Sequence, residues 1–296
     1  MAGKLIDGKA IAKKIKEEVK SEVEILAKQG ITPGLTAVLV GDDPASHIYV
    51  NNKAKACKKV GINGEVIKLP AETSADELRQ LVINLNQRED VHGILIQSPL
   101  PKHIDELDMI LNVDPLKDVD GFHPMNVGYM MLGSPIFLPC TPFGVIRILD
   151  EIGQNPKGKK VVILGRGNIV GKPLAAMLMQ KWEGCNATVT VCHTGTTNIV
   201  GEVRQADILV AAMGMPKFVT GNMVKEGAVI IDVGTNRVDD PSTEKGYYVC
   251  GDVDFDSCVD KASWITPVPG GVGPITIAML MYNTVRAARL KLVSKQ

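Results

Sequence analysis

The sequence carries no excess charge of either sign: Lys plus Arg and Asp plus Glu both total 33. A nucleic-acid partner held by a broad basic surface is therefore not expected. There is no apolar run approaching the roughly 20 residues of a membrane span, so no membrane partner is expected either. The opening stretch MAGKLIDGKAIAKKIKEEVK is a charged amphipathic helix without an apolar core segment, and no signal peptide is read there. The six cysteines (Cys57, Cys140, Cys185, Cys192, Cys250 and Cys258) show no C-x-x-C spacing. In a chain of this size they read as reduced thiols of a cytoplasmic protein rather than as disulfides or zinc ligands. His123 and His193 lack the companions of a metal site or a nucleophilic triad, and no metal is expected. Solenoid repeats and low-complexity segments are absent as well.

What remains is a soluble globular composition, 45% hydrophobic and 22% charged. At 296 residues the chain is long for one hydrophobic core, and two domains are expected. From residue 8 to about 29 apolar residues recur at helical spacing (Ile11, Ile15, Val19, Val23, Leu26) up to Gly30. LTAVLVG then reads as a strand, and Ser46 as the N-cap of a helix holding Tyr49 and Lys53. EVIKLP is a second strand. SADELRQLVINLNQ is a helix with a capping box from Ser74 to Glu77, and VHGILIQSPLP is a third strand. This β-α-β-α-β order, with nearly continuous apolar strands, predicts a parallel sheet covered on both faces. A second α/β series begins after PCTPFG: helix IRILDEIG, strand KKVVILG, helix KPLAAMLMQKW, then strands ATVTVCH, ADILVAAMG and GAVIIDVG. A long final helix is expected over about 275–293, with Pro274 near its first turn.

Between a strand and a helix, VVILGRGNIVGKP places Gly165, Gly167 and Gly171. Glycine permits the turn and lets a pyrophosphate approach backbone amides at the positive end of a helix dipole. The G-x-G-x-x-x-G spacing is one residue longer than the usual dinucleotide fingerprint, and the strand–helix–strand series that follows strengthens it. The second strand of this series ends in His193 and Thr194, with no carboxylate for a ribose hydroxyl, while Arg166 stands in the glycine loop. Withholding an anion and supplying a guanidinium suits a 2′-phosphate, so NADP is the expected cofactor. A second loop, ITPVPGGVGP, has three Pro and three Gly in ten residues and delivers the chain into a helix. It is either a rigid turn or a place where backbone meets a flat ligand.

Taken alone, Tyr49 and Lys53 would be a wet helix face. Asp120 before Gly121 would be a turn former, and Gln97 a polar strand end. Three stretches change that: YVNNK, KDVDGFHP and TPVPGGVGP. With PCTP and GRGNIVGKP they resemble, in order and over nearly the whole chain, the methylenetetrahydrofolate dehydrogenase/cyclohydrolase family. The resemblance implies a bifunctional folate enzyme. It would oxidise 5,10-methylenetetrahydrofolate with NADP and hydrolyse the methenyl product to 10-formyltetrahydrofolate. It implies two α/β domains flanking a cleft: residues 1–143 a folate-binding catalytic domain, with a helix over 275–296 packed back on it, and residues 144–274 a Rossmann-type NADP-binding domain. A homodimer is implied by the resemblance only.

By the same resemblance, Lys53 matches the family's catalytic lysine and Tyr49 the aromatic that packs on the folate. Gln97 matches the glutamine bonded to that lysine, and Asp120 the carboxylate that binds the pterin. Ile96, Ser98 and the loop Pro269, Gly270, Gly271, Val272 and Gly273 would contact substrate. Gly165, Arg166, Gly167, Thr194 and Thr235 would line the NADP site. The chain departs from the family's usual pattern at Gly167, Thr194, Thr235 and Ser98, none of which is a reacting group.

The chemistry is compatible with these roles. Residues four apart share a helix face, so Tyr49 and Lys53 can address one ligand. A flat pterin suits aromatic stacking, and a carboxylate accepts from its amino and ring N–H groups. Hydride transfer needs two carbons held at about 3–3.5 Å and no strong base. Hydrolysis needs a base, and a lysine in water is a poor one at neutral pH. Burial beside a cationic substrate and a hydrogen bond from Gln97 would favour its neutral form, so Lys53 is expected to matter more to hydrolysis than to oxidation. Two rivals fit less well. A short-chain dehydrogenase also pairs Tyr with Lys, but its glycine loop precedes the pair, whereas here Tyr49 precedes Gly165. An idle NADP-binding module could lose Lys53, Gln97 and Asp120 freely, and all three are present.

Overall fold

The computed structural model describes residues 3–293, without the side chains of Pro44, Ala45, Ile48 and Val293. In chain order the elements begin with β1 (Lys4–Leu5), α1 (Gly8–Ala27), β2 (Gly34–Val40), α2 (Pro44–Val60), β3 (Asn63–Leu69), α3 (Ala75–Gln87) and β4 (Gly93–Ile96). Next come α4 (Glu106–Leu111), α5 (Pro124–Met131), α6 (Cys140–Glu151), β5 (Lys160–Leu164), α7 (Gly171–Leu178) and β6 (Thr188–Cys192). Then follow α8 (Ile199–Val203), β7 (Ile208–Ala211), β8 (Val229–Asp232), β9 (Asn236–Asp239) and β10 (Tyr247–Cys250). The last are α9 (Phe255–Cys258), β11 (Trp264–Ile265) and α10 (Val272–Val293).

The chain divides into two compact α/β units. One comprises Lys13–Cys140 and the residues from Ile277 onward. Its parallel sheet has the order β3-β2-β4. All seven residues of the central strand, GLTAVLV, are buried, which is why the strand is apolar without alternation. Val38, Leu78, Val82, Leu85 and Met109 pack between the sheet and its helices. Helix α3 starts with the expected capping box, Glu77 N donating to Ser74 Oγ and Ser74 N to the Glu77 carboxylate. For α2 the cap is Asp43, not Ser46. Pro44 occupies the first turn, and Ser46 is the donor, its backbone N–H reaching the Asp43 carboxylate at 2.7 Å.

The other unit comprises the segment up to Ala12 and Thr141–Thr276. Its six-stranded sheet runs β1-β11-β8-β7-β5-β6, parallel throughout. The strand order reverses between β5 and β7, the switch point beside which open α/β sheets bind dinucleotides. Val162, Leu164, Leu209, Ile230 and Ile265 fill its core. An antiparallel hairpin, β9 with β10, stands apart from the sheet.

The unit boundaries fall inside α1, α6 and α10, at Ala12/Lys13, Cys140/Thr141 and Thr276/Ile277. Residues 1–143 are therefore not one continuous body. Lys4 and Leu5 pair with Trp264 and Ile265 and so join the larger sheet. Helix α10 starts at Val272, with Pro274 its third residue, somewhat earlier than the expected 275.

Candidate active site

In the unit containing Lys13–Cys140, α2 carries Tyr49 and Lys53 one turn apart, and Tyr49 is 47% exposed. Gln97 directly follows β4, and its N–H donates to Val38 O at 2.9 Å, continuing the sheet pairing by one residue. This places its side chain beside α2. Lys53 Nζ donates to Gln97 Oε1 at 3.0 Å, while Gln97 Nε2 donates to Ser98 O at 2.6 Å. The donor direction is thus the reverse of the expected one: the amide oxygen accepts from lysine. Ile96 and Gln97 are half-buried and Ser98 is exposed, with a cis bond to Pro99.

Asp120 lies on the loop after a one-residue bridge between Ile94 and Asp118. Burial raises the pKa of its carboxyl, the positive charge of Lys53 and a hydrogen bond with the Cys140 thiol oppose that rise, and Asp118 adds to it. Lys53, Gln97 and Asp120 are therefore brought together electrostatically and by hydrogen bonding. The loop that holds Asp120 is organised by Asp118, whose role had no signal in the sequence. Its buried carboxylate accepts from the N–H groups of Gly121 (3.2 Å), Phe122 (3.3 Å) and His123 (2.8 Å) and from Asn126 Nδ2 (2.7 Å). Gly121 has φ +77°, and a Cβ there would stand 2.8 Å from Pro139 N, so the turn requires glycine. From α10, Asn283 Nδ2 donates to Val119 O at 2.8 Å and Leu138 O at 2.9 Å, fixing the backbone on either side.

In the other unit the glycine loop runs from β5 into α7. Gly165 has φ +110°, and a Cβ would lie 2.1 Å from Ala212 O. A Cβ on Gly171 would lie 2.1 Å from Gly165 O, whereas Gly167 faces open space. No side chain caps α7 at Val170; in its first turn Lys172 N–H donates to Gly167 O at 3.1 Å and Pro173 has no N–H, so the turn offers the Gly171 amide to another acceptor. This cradle fits a pyrophosphate. Arg166, Thr194 and Thr235 are all exposed on loops at the carboxyl ends of β5, β6 and β8.

The same unit holds the proline–glycine loop. Val268–Pro269 is cis, Gly270 has φ +108°, Gly271 and Val272 are buried, and Pro269 and Gly273 are exposed. A Cβ on Gly8 would lie 1.8 Å from Gly271 O, so the first residue of α1 packs backbone to backbone against this loop. Asp252 is fully buried and anchors a loop: it accepts from three consecutive backbone N–H groups, Met213 to Met215. Its partners lie far off in sequence, so no local pattern could have marked it.

Family models match both parts of the chain. The tetrahydrofolate dehydrogenase/cyclohydrolase catalytic domain matches residues 6–120, and the NAD(P)-binding domain of the same description matches residues 139–292. The bifunctional protein FolD of Prosthecochloris aestuarii is 55% identical over 286 residues, 96% of this chain and 97% of its own length. The crystal structure of the bifunctional FolD dehydrogenase/cyclohydrolase from Campylobacter jejuni superposes with a TM-score of 0.92 at 47% identity, covering 98% of this chain and 100% of that one. The Trypanosoma brucei enzyme, complexed with NADP and an inhibitor, gives a TM-score of 0.93 at 41% identity over 99% of each chain.

Proposed function

We propose how these residues divide the work, starting from the premise that the chain belongs to the tetrahydrofolate dehydrogenase/cyclohydrolase family. It is a bifunctional enzyme of folate one-carbon metabolism: it oxidises 5,10-methylenetetrahydrofolate with NADP to the methenyl form and hydrolyses that to 10-formyltetrahydrofolate. NADP supplies the hydride acceptor. The residues that do each step are our reading. The observation that carries it is the hydrogen bond from Lys53 to Gln97 with the Asp120 carboxylate in electrostatic reach.

Oxidation removes a hydride from the bridging carbon and leaves a cation delocalised over the two flanking nitrogens. It asks the protein for position rather than for a base. Tyr49, half exposed on α2, offers a flat face for the folate ring system, and Asp120 accepts hydrogen bonds from the pterin. Ile96, Ser98 and the loop from Pro269 to Gly273 are assigned to substrate contacts. The glycine cradle, with the Gly171 amide at the start of α7, would take the pyrophosphate of NADP. Arg166 supplies a guanidinium for the 2′-phosphate, with Thr194 and Thr235 as further contacts.

In hydrolysis, water adds to the bridging carbon and loses one proton; as the bond from that carbon to N5 breaks, the remaining hydroxyl proton passes to N5, leaving the formyl group on N10. Lys53 takes the first proton. Its hydrogen bond to Gln97 Oε1 can be made by the amine or the ammonium, so it fixes the direction of Nζ through the whole step. Gln97 is itself held by its bond to Ser98 O and is a positioning residue for Lys53. An idle binding module is not favoured, since the chain is homologous to the bifunctional enzymes over nearly its whole length.

We further assign a homodimer and a cytoplasmic location. All six cysteines are buried and unpaired, which fits a reducing compartment, and among the described residues no helix is long and apolar enough to cross a membrane. The test is a spectrophotometric assay of the purified protein with 5,10-methylenetetrahydrofolate, offering NADP and NAD separately. Reduced nicotinamide with NADP, without lasting methenyl absorbance, is the expected result. Lasting accumulation of the methenyl form would remove Lys53 from its assigned role.

A further inference from the structure

We propose that Asp252 is a positioning residue for the cofactor edge of the dehydrogenase site, holding the loops after β7 and β8 in the shape that NADP meets. The proposal rests on the reading that NADP lies along the carboxyl ends of this sheet. Asp252 is fully buried, yet each of its oxygens accepts two hydrogen bonds. Oδ2 accepts from Met213 N at 2.5 Å and Gly214 N at 3.0 Å, and Oδ1 from Met215 N at 2.9 Å and Asn236 Nδ2 at 2.8 Å. Three consecutive amides turned onto one carboxylate define the path of the chain leaving β7. The Asn236 bond ties in the residue next to Thr235, which is assigned to the cofactor.

A second carboxylate locks the first. Asp232, at the end of β8, accepts from the N–H groups of Gly234, Asp252 and Val253 at 3.0, 3.0 and 2.9 Å. The fit leaves no room for side chains. A Cβ on Gly234 would lie 2.4 Å from the Asp252 carboxyl carbon, and one on Gly251 would lie 1.8 Å from Asp232 Oδ2. The loop after β7 also carries Ala212, whose carbonyl abuts Gly165 of the glycine cradle, so the Asp252 anchor is continuous with the phosphate-binding turn. A carboxylate buried only for stability could sit anywhere in the unit. This one fixes loop backbone at the sheet edge beside the strand-order reversal, where a dinucleotide is bound.

The test uses the two activities of one full-length protein, because hydrolysis of the methenyl substrate requires no NADP. In Asp252→Asn an amide nitrogen faces backbone donors whichever way it is turned, so at least one amide loses its acceptor. The expected result is a rise of about tenfold or more in the KM for NADP, matched by weaker NADP binding in titration calorimetry. The KM for methylenetetrahydrofolate and the rate of methenyl hydrolysis stay within about twofold, and the amides of Met213 to Met215 lose hydrogen-exchange protection. An unchanged NADP affinity in the folded variant overturns the proposal, and so does a parallel fall of oxidation and hydrolysis. If that variant does not fold, Asn236→Ala, which removes one donor and keeps the carboxylate, must still raise the NADP KM severalfold without slowing hydrolysis, and its failure to do so overturns the proposal. Wild-type protein that does not bind NADP overturns the cofactor reading itself, and this proposal with it.

Discussion

His92 couples the stability of its unit to pH in a direction that the geometry fixes. The ring is 6% exposed, and its Nδ1 accepts a hydrogen bond from Gly34 N at 3.1 Å at the start of the central strand. Protonation would place a second N–H against that donor in a dry setting that also holds Lys291 and Lys117. Burial, with those two ammonium groups, pulls the imidazole pKa from 6.5 down to about 4, against weaker opposition from Asp90 and Glu89. The unfolded chain therefore binds this proton near pH 6.5 and the folded chain only near pH 4. The native state is stabilised above pH 6.5 and loses that stability progressively as pH falls to 4. A gap of that size corresponds to about 3 kcal/mol. Other groups titrate over the same range. Asp232, its pKa raised by burial to about 6, acts in the opposite sense and destabilises as pH rises from 3.8 to 6. The clean comparison is therefore with His92→Asn, which keeps an acceptor opposite Gly34 and does not titrate. Urea unfolding of both proteins from pH 7 to 4 should show the wild type losing about 3 kcal/mol more than the variant. Parallel stability curves, or an NMR titration placing the His92 pKa at 6.5 or above, would refute the reasoning.

Ser74→Ala removes one half of the capping box of α3 and should cost about 1 kcal/mol, seen as a lower denaturation midpoint with both activities intact. The cysteines should be inert in the native state. Burial raises the thiol pKa of Cys57, Cys185 and Cys258 to about 11 and that of Cys140 well above its ordinary value. At pH 8 a disulfide reagent should therefore titrate no thiol rapidly in folded protein and all six after unfolding.

How far the sequence could be read depended on how local each cause was. The α3 cap lies within four residues, and the Ser74–Glu77 spacing stated it in full. At α2 two acceptors, Asp43 and Ser46, flank Pro44, and it is the proline, fit for the first turn, that leaves the cap to Asp43. The parallel strands were legible because burial on both faces demands continuous apolar runs. Strand β1 was not, since two exposed residues carry no pattern and their partner, β11, lies some 260 residues away. The hairpin of β9 and β10 was not legible either: NRVD alternates in exposure in the fold, but Val238 is its one apolar residue, so no alternation shows in the sequence. Among the site residues, Lys53, Gln97 and Asp120 were placed through whole motifs. The carboxylates Asp118 and Asp252, each of which shapes loops within its own unit, act largely on backbone amides. Such partners leave no trace in residue identity, so they show only in the folded structure.

The central claim is that Lys53 serves water attack on the methenyl cation and is not needed for hydride removal. The most direct test is Lys53→Met, which keeps much of the side chain's length and apolar packing and removes the amine. Both steps are followed in one cuvette with 5,10-methylenetetrahydrofolate and NADP. The account predicts that reduced nicotinamide still forms, within about tenfold of the wild-type rate, while hydrolysis falls by about a hundredfold or more and methenyl absorbance accumulates. Undiminished hydrolysis in the variant would contradict it.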